Sequence, residues 1–192
     1  MKVMQILPFA RNLLERTCSN GDIVVDGTLG NGHDTEFLAH LVGPTGQVFG
    51  FDIQEQAILN TRKRLEDLHL NQQVTLFHHG HEKIKESIPS DLHGKIKGAI
   101  FNLGYLPGGD KSIVTKPETT IAAIRQLLEL MAIEGIIVLV IYHGHQEGAV
   151  ERDAIIEFTQ SIDQQKAHVI QYGFINQNNH PPFIIAIEKR RD

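Results

Sequence analysis

Short apolar runs alternate along the chain with longer segments whose apolar positions recur at helical spacing. Val3 to Cys18 is the first helical stretch, with Ile6, Phe9, Ala10, Leu13 and Leu14 on one face. Ser19-Asn20-Gly21 ends it, and Ile23 to Asp26 is a β-branched run predicting a strand. A helix over His33 to Val42, a strand over Gly46 to Asp52 and a helix over Gln54 to Leu70 follow. In that last helix Ala57, Ile58, Leu65 and Leu68 fall on the inner face. The alternation continues with strand Gln73–His78, short helix Glu82–Ile88, strand Lys97–Leu103, helix Pro117–Met131, strand Ile133–Tyr142 and helix Ala149–Ile162. Ala167–Phe174 and Phe183–Glu188 close the chain, too near one another for an intervening helix and therefore an antiparallel pair. Repeated strand–helix alternation predicts a doubly wound, Rossmann-like α/β sheet of seven strands with the last one antiparallel. No linker or repeat divides it, so residues 1–192 are expected to form one domain.

Candidate chemistry collects where the first strand ends. Asp26-Gly27-Thr28-Leu29-Gly30-Asn31-Gly32-His33-Asp34 runs from a strand through three glycines into a helix, an arrangement that offers backbone N–H groups to a ligand. The glycine order, Gly27-x-x-Gly30-x-Gly32, is neither the dinucleotide fingerprint nor a phosphate loop. An acid directly before the glycines suits a ligand with nearby positive charge. S-adenosylmethionine carries a sulfonium and an ammonium and no phosphate, so it is favoured over NAD. Asp52, ending the second strand, is placed for ribose hydroxyls, a role both cofactors would use. At the end of the fourth strand, Asn102-Leu103-Gly104-Tyr105-Leu106-Pro107-Gly108-Gly109-Asp110-Lys111 should face the same crevice, beside the topological switch between strands one and four. There the Asn102 carbonyl could accept from an amine, and the Tyr105 ring could stack on a base.

Composition narrows the classes. A single cysteine excludes a disulfide framework, and with no secretory or membrane-length apolar block the expected setting is the cytoplasm. Net charge of −5 argues against bulk electrostatic binding to nucleic acid, while leaving room for a local basic patch. Eleven histidines invite a metal reading, with His78, His79 and His81 at one strand end and His143 and His145 at another. Alternate residues of a strand point to opposite faces and no cysteine or acid spacing completes a zinc set, so no metal site is expected.

The two quoted motifs, with Ile141-Tyr142-His143-Gly144-His145 after the fifth strand, resemble those of the bacterial YtqB-like methyltransferases. These were long labelled rRNA methylases, and their best-understood members are the tRNA 5-(aminomethyl)uridine methyltransferases (MnmM). The resemblance spans nearly the whole chain. It implies methyl transfer from S-adenosylmethionine to the exocyclic amine of 5-aminomethyl-(2-thio)uridine at the tRNA wobble position. It further implies that Gly30, Asn31, Gly32 and His33, next to Asp26, hold the methionine end of the cofactor. Asp52 and Gln54 would hold the ribose, Gly80 and His81 flank the adenine, and Asn102 and Tyr105 face the substrate. Where the family pattern has Ser-His-Glu, this chain has Gly80-His81-Glu82 and so lacks the hydroxyl.

An amine acceptor needs deprotonation, alignment and exclusion of water more than a strong base. Methylation at pyrimidine C5 would call for a cysteine nucleophile, and Cys18 ends the first helix, away from the strand tips. For RNA, Lys111 and Lys116 in the substrate loop, Arg152 and the Lys189-Arg190-Arg191 tail are candidate phosphate contacts, with His143 and His145 as hydrogen bonders lining the site. On so acidic a body the footprint should be small: an anticodon stem-loop, with a homodimer as the way to share it. The rival readings are an rRNA or small-molecule methyltransferase, an NAD-type oxidoreductase and a non-catalytic nucleotide-binding module.

Overall fold

Strand alternation sorts the core into two layers. The structure is a computed structural model describing residues 2–104, 108, 113–144 and 146–191, with residues 146 and 147 described by backbone alone. Its elements are α1 (Ile6–Thr17), β1 (Ile23–Asp26), α2 (His33–Val42), β2 (Gln47–Asp52), α3 (Glu55–Asp67), β3 (Val74–His78) and α4 (Ile84–Ser87). Then come β4 (Ile96–Leu103), α5 (Pro117–Leu130), β5 (Met131–Ile141), α6 (Gln146–Gln160), β6 (Ala167–Tyr172) and β7 (Phe183–Lys189). The seven strands form one sheet in the order β3-β2-β1-β4-β5-β7-β6. All neighbours are parallel except that β7 runs antiparallel to both β5 and β6.

Successive strand residues face opposite sides. Val24, Val48, Ile100, Val138 and Ile184 pack with Ala10 and Leu14 of α1, Leu38 of α2 and Leu65 of α3. Their neighbours Val25, Phe49, Phe101, Leu139 and Ile185 pack with Ile84 of α4, Ala123 and Leu127 of α5, and Ile155 of α6. Helices therefore cover both faces, which is why the inner strands are apolar along most of their length. At roughly 25 cal/mol per Å² of buried apolar surface, these two layers supply the main stabilising term.

Several expected boundaries move. Helix α1 begins at Ile6, and Val3 and Met4 before it are exposed. Leu68 is exposed because α3 ends at Asp67 and the chain turns before Leu70 re-enters the core. Strand β5 is interrupted near its start: register jumps from Ile96↔Met131 to Gly98↔Ile136, and Glu134 takes a left-handed φ of 64°. Buried pairing on both edges resumes at Ile136. Among the described residues no helix is long and apolar enough to cross a membrane.

The topology fixes where chemistry can gather. β1 lies between β2 and β4, so the order in which the chain adds strands across the sheet reverses at β1/β4 and the strand tips there open a crevice. Because β7 is antiparallel, its start at Phe183 lies beside Ile141 at the crevice end, while Glu188 pairs with Ile136 at the far end. The Lys189–Arg191 tail thus sits away from the crevice, contrary to expectation. Lys189 is buried and its Nζ donates to Met131 O at 3.0 Å, and Arg190 bonds Gln164 O at 2.9 Å.

Candidate active site

Two cavities meet at the crevice. The smaller, about 250 Å³, is walled by Gly30, Asp52, Gln54, Gly80, His81, Glu82, Asn102 and Lys116, among others. The larger, about 770 Å³, is walled by Leu7, Arg11, Asn31, His33, Asp34, Asn102, Tyr142, His143 and His180, among others. Thr28, Gly30, Asn102 and Gly104 line both, so these residues form the partition.

The glycine stretch is shaped by close approach. A side chain at Gly27 would collide with the buried ring of Phe101, which lies directly under the turn. Gly32 caps α2 in the left-handed region with φ of 77°, against Thr61. The turn is tied to its neighbours by Gly27 N–H donating to Ile100 O at 2.9 Å and Leu29 N–H to Phe51 O at 3.1 Å. Arg64 Nε donates to Asn31 O at 3.0 Å, and Asn60 Nδ2 to Asn31 Oδ1 at 3.0 Å, so α3 braces the turn from outside.

Asp26 does not line either cavity. It is fully buried beneath the turn and accepts from Thr28 N–H at 3.1 Å and Thr35 Oγ1 at 2.6 Å. Burial, then the charges of Asp34 and Asp52, push its carboxyl up to about 7 against those two bonds. The acid before the glycines therefore supports the loop from below; direct contact with a cofactor's positive charge is blocked by the turn above it. Asp52 does reach the smaller cavity. Its Oδ2 accepts from Gly30 N–H at 3.0 Å and its Oδ1 from Gln54 N–H at 2.9 Å, leaving a lone pair on each oxygen.

His81 is buried at the cavity wall, and its Nδ1 lies 2.9 Å from Gly27 O. A carbonyl only accepts, so Nδ1 carries the proton; burial lowers the ring's affinity for a second one. Nε2 is then a bare acceptor with no hydrogen-bond partner among the described residues. The missing hydroxyl at Gly80 has a structural counterpart: a side chain there would strike the Glu82 carboxylate, which fills that space.

Asn102 is the best-determined group at the partition. Its backbone N–H donates to Thr28 Oγ1 at 2.7 Å and its side-chain Nδ2 to Asp34 Oδ2 at 2.8 Å. The carboxylate can only accept, so the amide orientation is fixed and Oδ1 of Asn102 is left as an acceptor. Asp34 is itself held by Arg11, whose Nε and Nη2 reach Oδ1 at 3.1 and 2.8 Å. Asp34, Arg11, Tyr142, His180 and Glu82 are site residues that sequence reasoning missed. An acid in the first turn of α2 was the available signal for Asp34; for Arg11, on a different helix, there was none.

The expected substrate contacts are redistributed. Lys116 stands in the wall of the smaller cavity, with Asp52 and Glu82. His143 lines the larger one, but both of its nitrogens are engaged: Nε2 with Pro181 O at 3.1 Å and Nδ1 with Arg152 Nη1 at 3.4 Å. Partial burial and then Arg152 and His180 lower its basicity, so it stays neutral and ties β5 to the β6–β7 loop. Arg152 is further paired with Asp153 at 2.7 Å. Tyr105, Lys111 and His145 lie outside the described residues. Cys18 is buried against Gly98 in the lower half of the sheet, and burial pushes its thiol up to about 12, unfit for a nucleophile. Among the described residues no group of three or more His, Cys, Asp or Glu is placed to hold a metal.

Asp52 and Glu82 stand in the wall of the smaller cavity and Asp34 in that of the larger, and the remaining lone pairs of Asp52 match a ribose diol. Those three carboxylates disfavour a pyrophosphate and favour a ligand that carries a sulfonium and an ammonium. Seven-stranded topology and this site are those of the S-adenosylmethionine-dependent methyltransferases.

Comparison with known proteins gives the particular family. Residues 48–188 match the family described as "Putative rRNA methylase", and the chain belongs to it. Two solved structures superpose closely. A "putative rRNA-methylase" from Clostridium thermocellum is 46% identical with TM-score 0.94, covering 98% of this chain and 100% of that one. A methyltransferase from Streptococcus mutans, in complex with SAH, is 38% identical with TM-score 0.87, covering 97% and 99%. A curated relative, the chloroplastic tRNA (mnm5s2U34)-methyltransferase of Arabidopsis thaliana, is 31% identical over 183 residues. That match takes in 91% of this chain, and the chain spans 66% of the relative's length.

Proposed function

We propose that this protein transfers the methyl group of S-adenosylmethionine to the exocyclic amine of 5-aminomethyl-(2-thio)uridine at the wobble position of tRNA, in the cytoplasm. The observation that carries the reading is the fixed amide of Asn102, whose free carbonyl sits in the partition between the two cavities. An acceptor there orients an amine N–H and leaves the nitrogen lone pair free to attack. The smaller cavity would take the adenosine portion, with Asp52 and Gln54 on the ribose and His81 and Glu82 near the base. Gly30, Asn31, Gly32 and His33 would hold the methionine end. The larger cavity would take the flipped-out uridine.

The transfer forms an N–C bond from the amine lone pair as the S–C bond breaks with its electrons going to sulfur. A proton then leaves the new secondary ammonium for solvent. No cysteine is needed, in keeping with the inert Cys18. The family and the tRNA-modifying relative support an RNA acceptor. The remaining substrate contacts, Tyr105, Lys111, Lys116 and His145, belong to this proposal, as does a homodimer that completes the anticodon stem-loop footprint. Nucleoside mass spectrometry of tRNA from a strain lacking the gene tests the reading. Loss of methylaminomethyl-uridine with accumulation of the aminomethyl form is expected; unchanged levels would reject it in favour of rRNA or a small molecule.

A further inference from the structure

The larger cavity holds a second acceptor beside Asn102, and its valences can be counted. Asp34 Oδ1 is occupied by two N–H groups of one guanidinium, Nε at 3.1 Å and Nη2 at 2.8 Å. Among the described residues Oδ2 takes a single N–H, from Asn102 Nδ2 at 2.8 Å, which leaves one lone pair on that oxygen. The Asp34 side chain is 12% exposed, and the cavity wall is where that exposure lies. Arg11 is itself stacked on Phe37, its guanidinium carbon 5.1 Å from the ring centre, so the clamp on Asp34 is held from behind. An isolated carboxylate would gain nothing from so much fixing; one that must point at a small target would.

We infer that Asp34 is a catalytic residue that accepts one N–H of the acceptor amine while Asn102 accepts the other, selecting a primary amine and stabilising the charge that develops on its nitrogen. This rests on the amine reading proposed above. A neutral primary amine has two N–H donors and one lone pair. Two adjacent acceptors, Asp34 Oδ2 and Asn102 Oδ1, satisfy both donors and leave the lone pair directed elsewhere. A hydroxyl has one donor and would leave one acceptor unpaired in a partly buried wall. During transfer positive charge moves from sulfur to nitrogen, towards Asp34, so the carboxylate interacts more strongly with the transition state than with the bound ground state. Arg11 holds the carboxylate in place and tempers its attraction for an ammonium that has not yet lost its proton. Among the described residues, the charged and titratable groups around Asp34 are Arg11 on α1, His33 on α2, Asp26 below, Tyr142 and His143 at the end of β5, and His180 in the β6–β7 loop.

The test compares wild type with the isosteric Asp34→Asn and with Asp34→Ala, using tRNA that carries 5-aminomethyluridine. Asp34→Asn should lower kcat by about 100-fold, in the range seen when a transition-state charge loses one preorganised partner. The rise in melting temperature on adding S-adenosylhomocysteine should stay as in wild type for both variants. Retention of wild-type kcat in both would overturn the inference while leaving the amine reading intact. Loss of the S-adenosylhomocysteine shift along with kcat would also overturn it, by making Asp34 a cofactor residue. An inactive wild type on this tRNA would instead reject the reading on which the inference stands.

Discussion

The two cavities share a partition yet are built in different ways. Much of the smaller one comes from consecutive strand ends, with Gly30 after β1, Asp52 at the end of β2 and Gln54 just after it, and Gly80 to Glu82 after β3, and the rest from Asn102, Gly104 and the segment leading into α5. The larger one shares Thr28, Gly30, Asn102 and Gly104 with it and adds residues from α1, the first turn of α2, the end of β5 and the β6–β7 loop. In the smaller cavity most polar bonds are backbone N–H to side chain, set by strand geometry. In the larger one the decisive bonds join side chain to side chain, as in Arg11–Asp34–Asn102. On the proposed reading, a cofactor-binding half tied to the sheet and an acceptor half assembled from distant segments can be changed independently. This is how one fold keeps its cofactor while its substrates vary.

The largest expected effect separates the halves outright. Asp52→Ala removes the proposed ribose acceptors and should weaken cofactor binding by about 100-fold, near the loss of two hydrogen bonds to a charged group. Isothermal titration with S-adenosylhomocysteine measures it; a change under threefold would place the ribose elsewhere. Asn102→Ala is the counterpart on the other side. Its kcat should fall about 50-fold with cofactor affinity kept within twofold, and equal losses in both quantities would erase the proposed division.

A smaller effect tests how the acceptor half is braced. Glu151 of α6 is buried and accepts from the hydroxyls of Thr115 and Thr120. Thr115 in turn accepts from Gly104 N–H at 3.0 Å and donates its own N–H to Gly104 O at 3.0 Å, closing the base of the loop that begins after β4. Glu151→Ala should raise KM for the RNA roughly tenfold, leaving two hydroxyls and a buried space behind. Glu151→Gln, which can still accept one of the bonds, should raise it far less. An unchanged KM in the alanine variant would mean the loop is held by other contacts.

Asp26 lies under both halves and gives a pH signature. Its carboxyl binds a proton more tightly in the folded state, at about 7, than in the unfolded chain, at about 4. The stabilisation from that proton is complete below the unfolded value and disappears as pH rises through about 7. Wild-type melting temperature should therefore fall between pH 5 and 8 by roughly 5 °C more than that of Asp26→Asn. Parallel curves would show that Asp26 titrates at an ordinary value. The smallest effect expected is on Cys18→Ser, whose methyl transfer should match wild type in a steady-state assay; loss of turnover in a folded variant would bring back a cysteine mechanism.

Legibility in the sequence follows the same divide. Strand periodicity and the acids that end β1 and β2 revealed the sheet and the crevice, because each depends on residues close in sequence. Asp52 stands at the crevice, where the end of β2 predicts it, and Gln54, which only the family resemblance pointed to, lines the same cavity. Asp26 was legible as important and misread in role, since a linear pattern does not distinguish a side chain above a turn from one buried below it. The Lys189–Arg191 tail looked like a phosphate contact until the antiparallel direction of β7 placed it at the far end of the sheet. Arg11 and Asp34 form their pair across the α1–α2 packing, and neither helix's own periodicity signals it.

Incubation of the purified protein with S-adenosylmethionine and tRNA bearing 5-aminomethyluridine, followed by nucleoside mass spectrometry, tests the central claim most directly. The account predicts conversion to 5-methylaminomethyluridine, with one S-adenosylhomocysteine formed per methyl transferred and no methyl on ring carbon. Methylation of rRNA instead, or no transfer to this nucleoside, would contradict it.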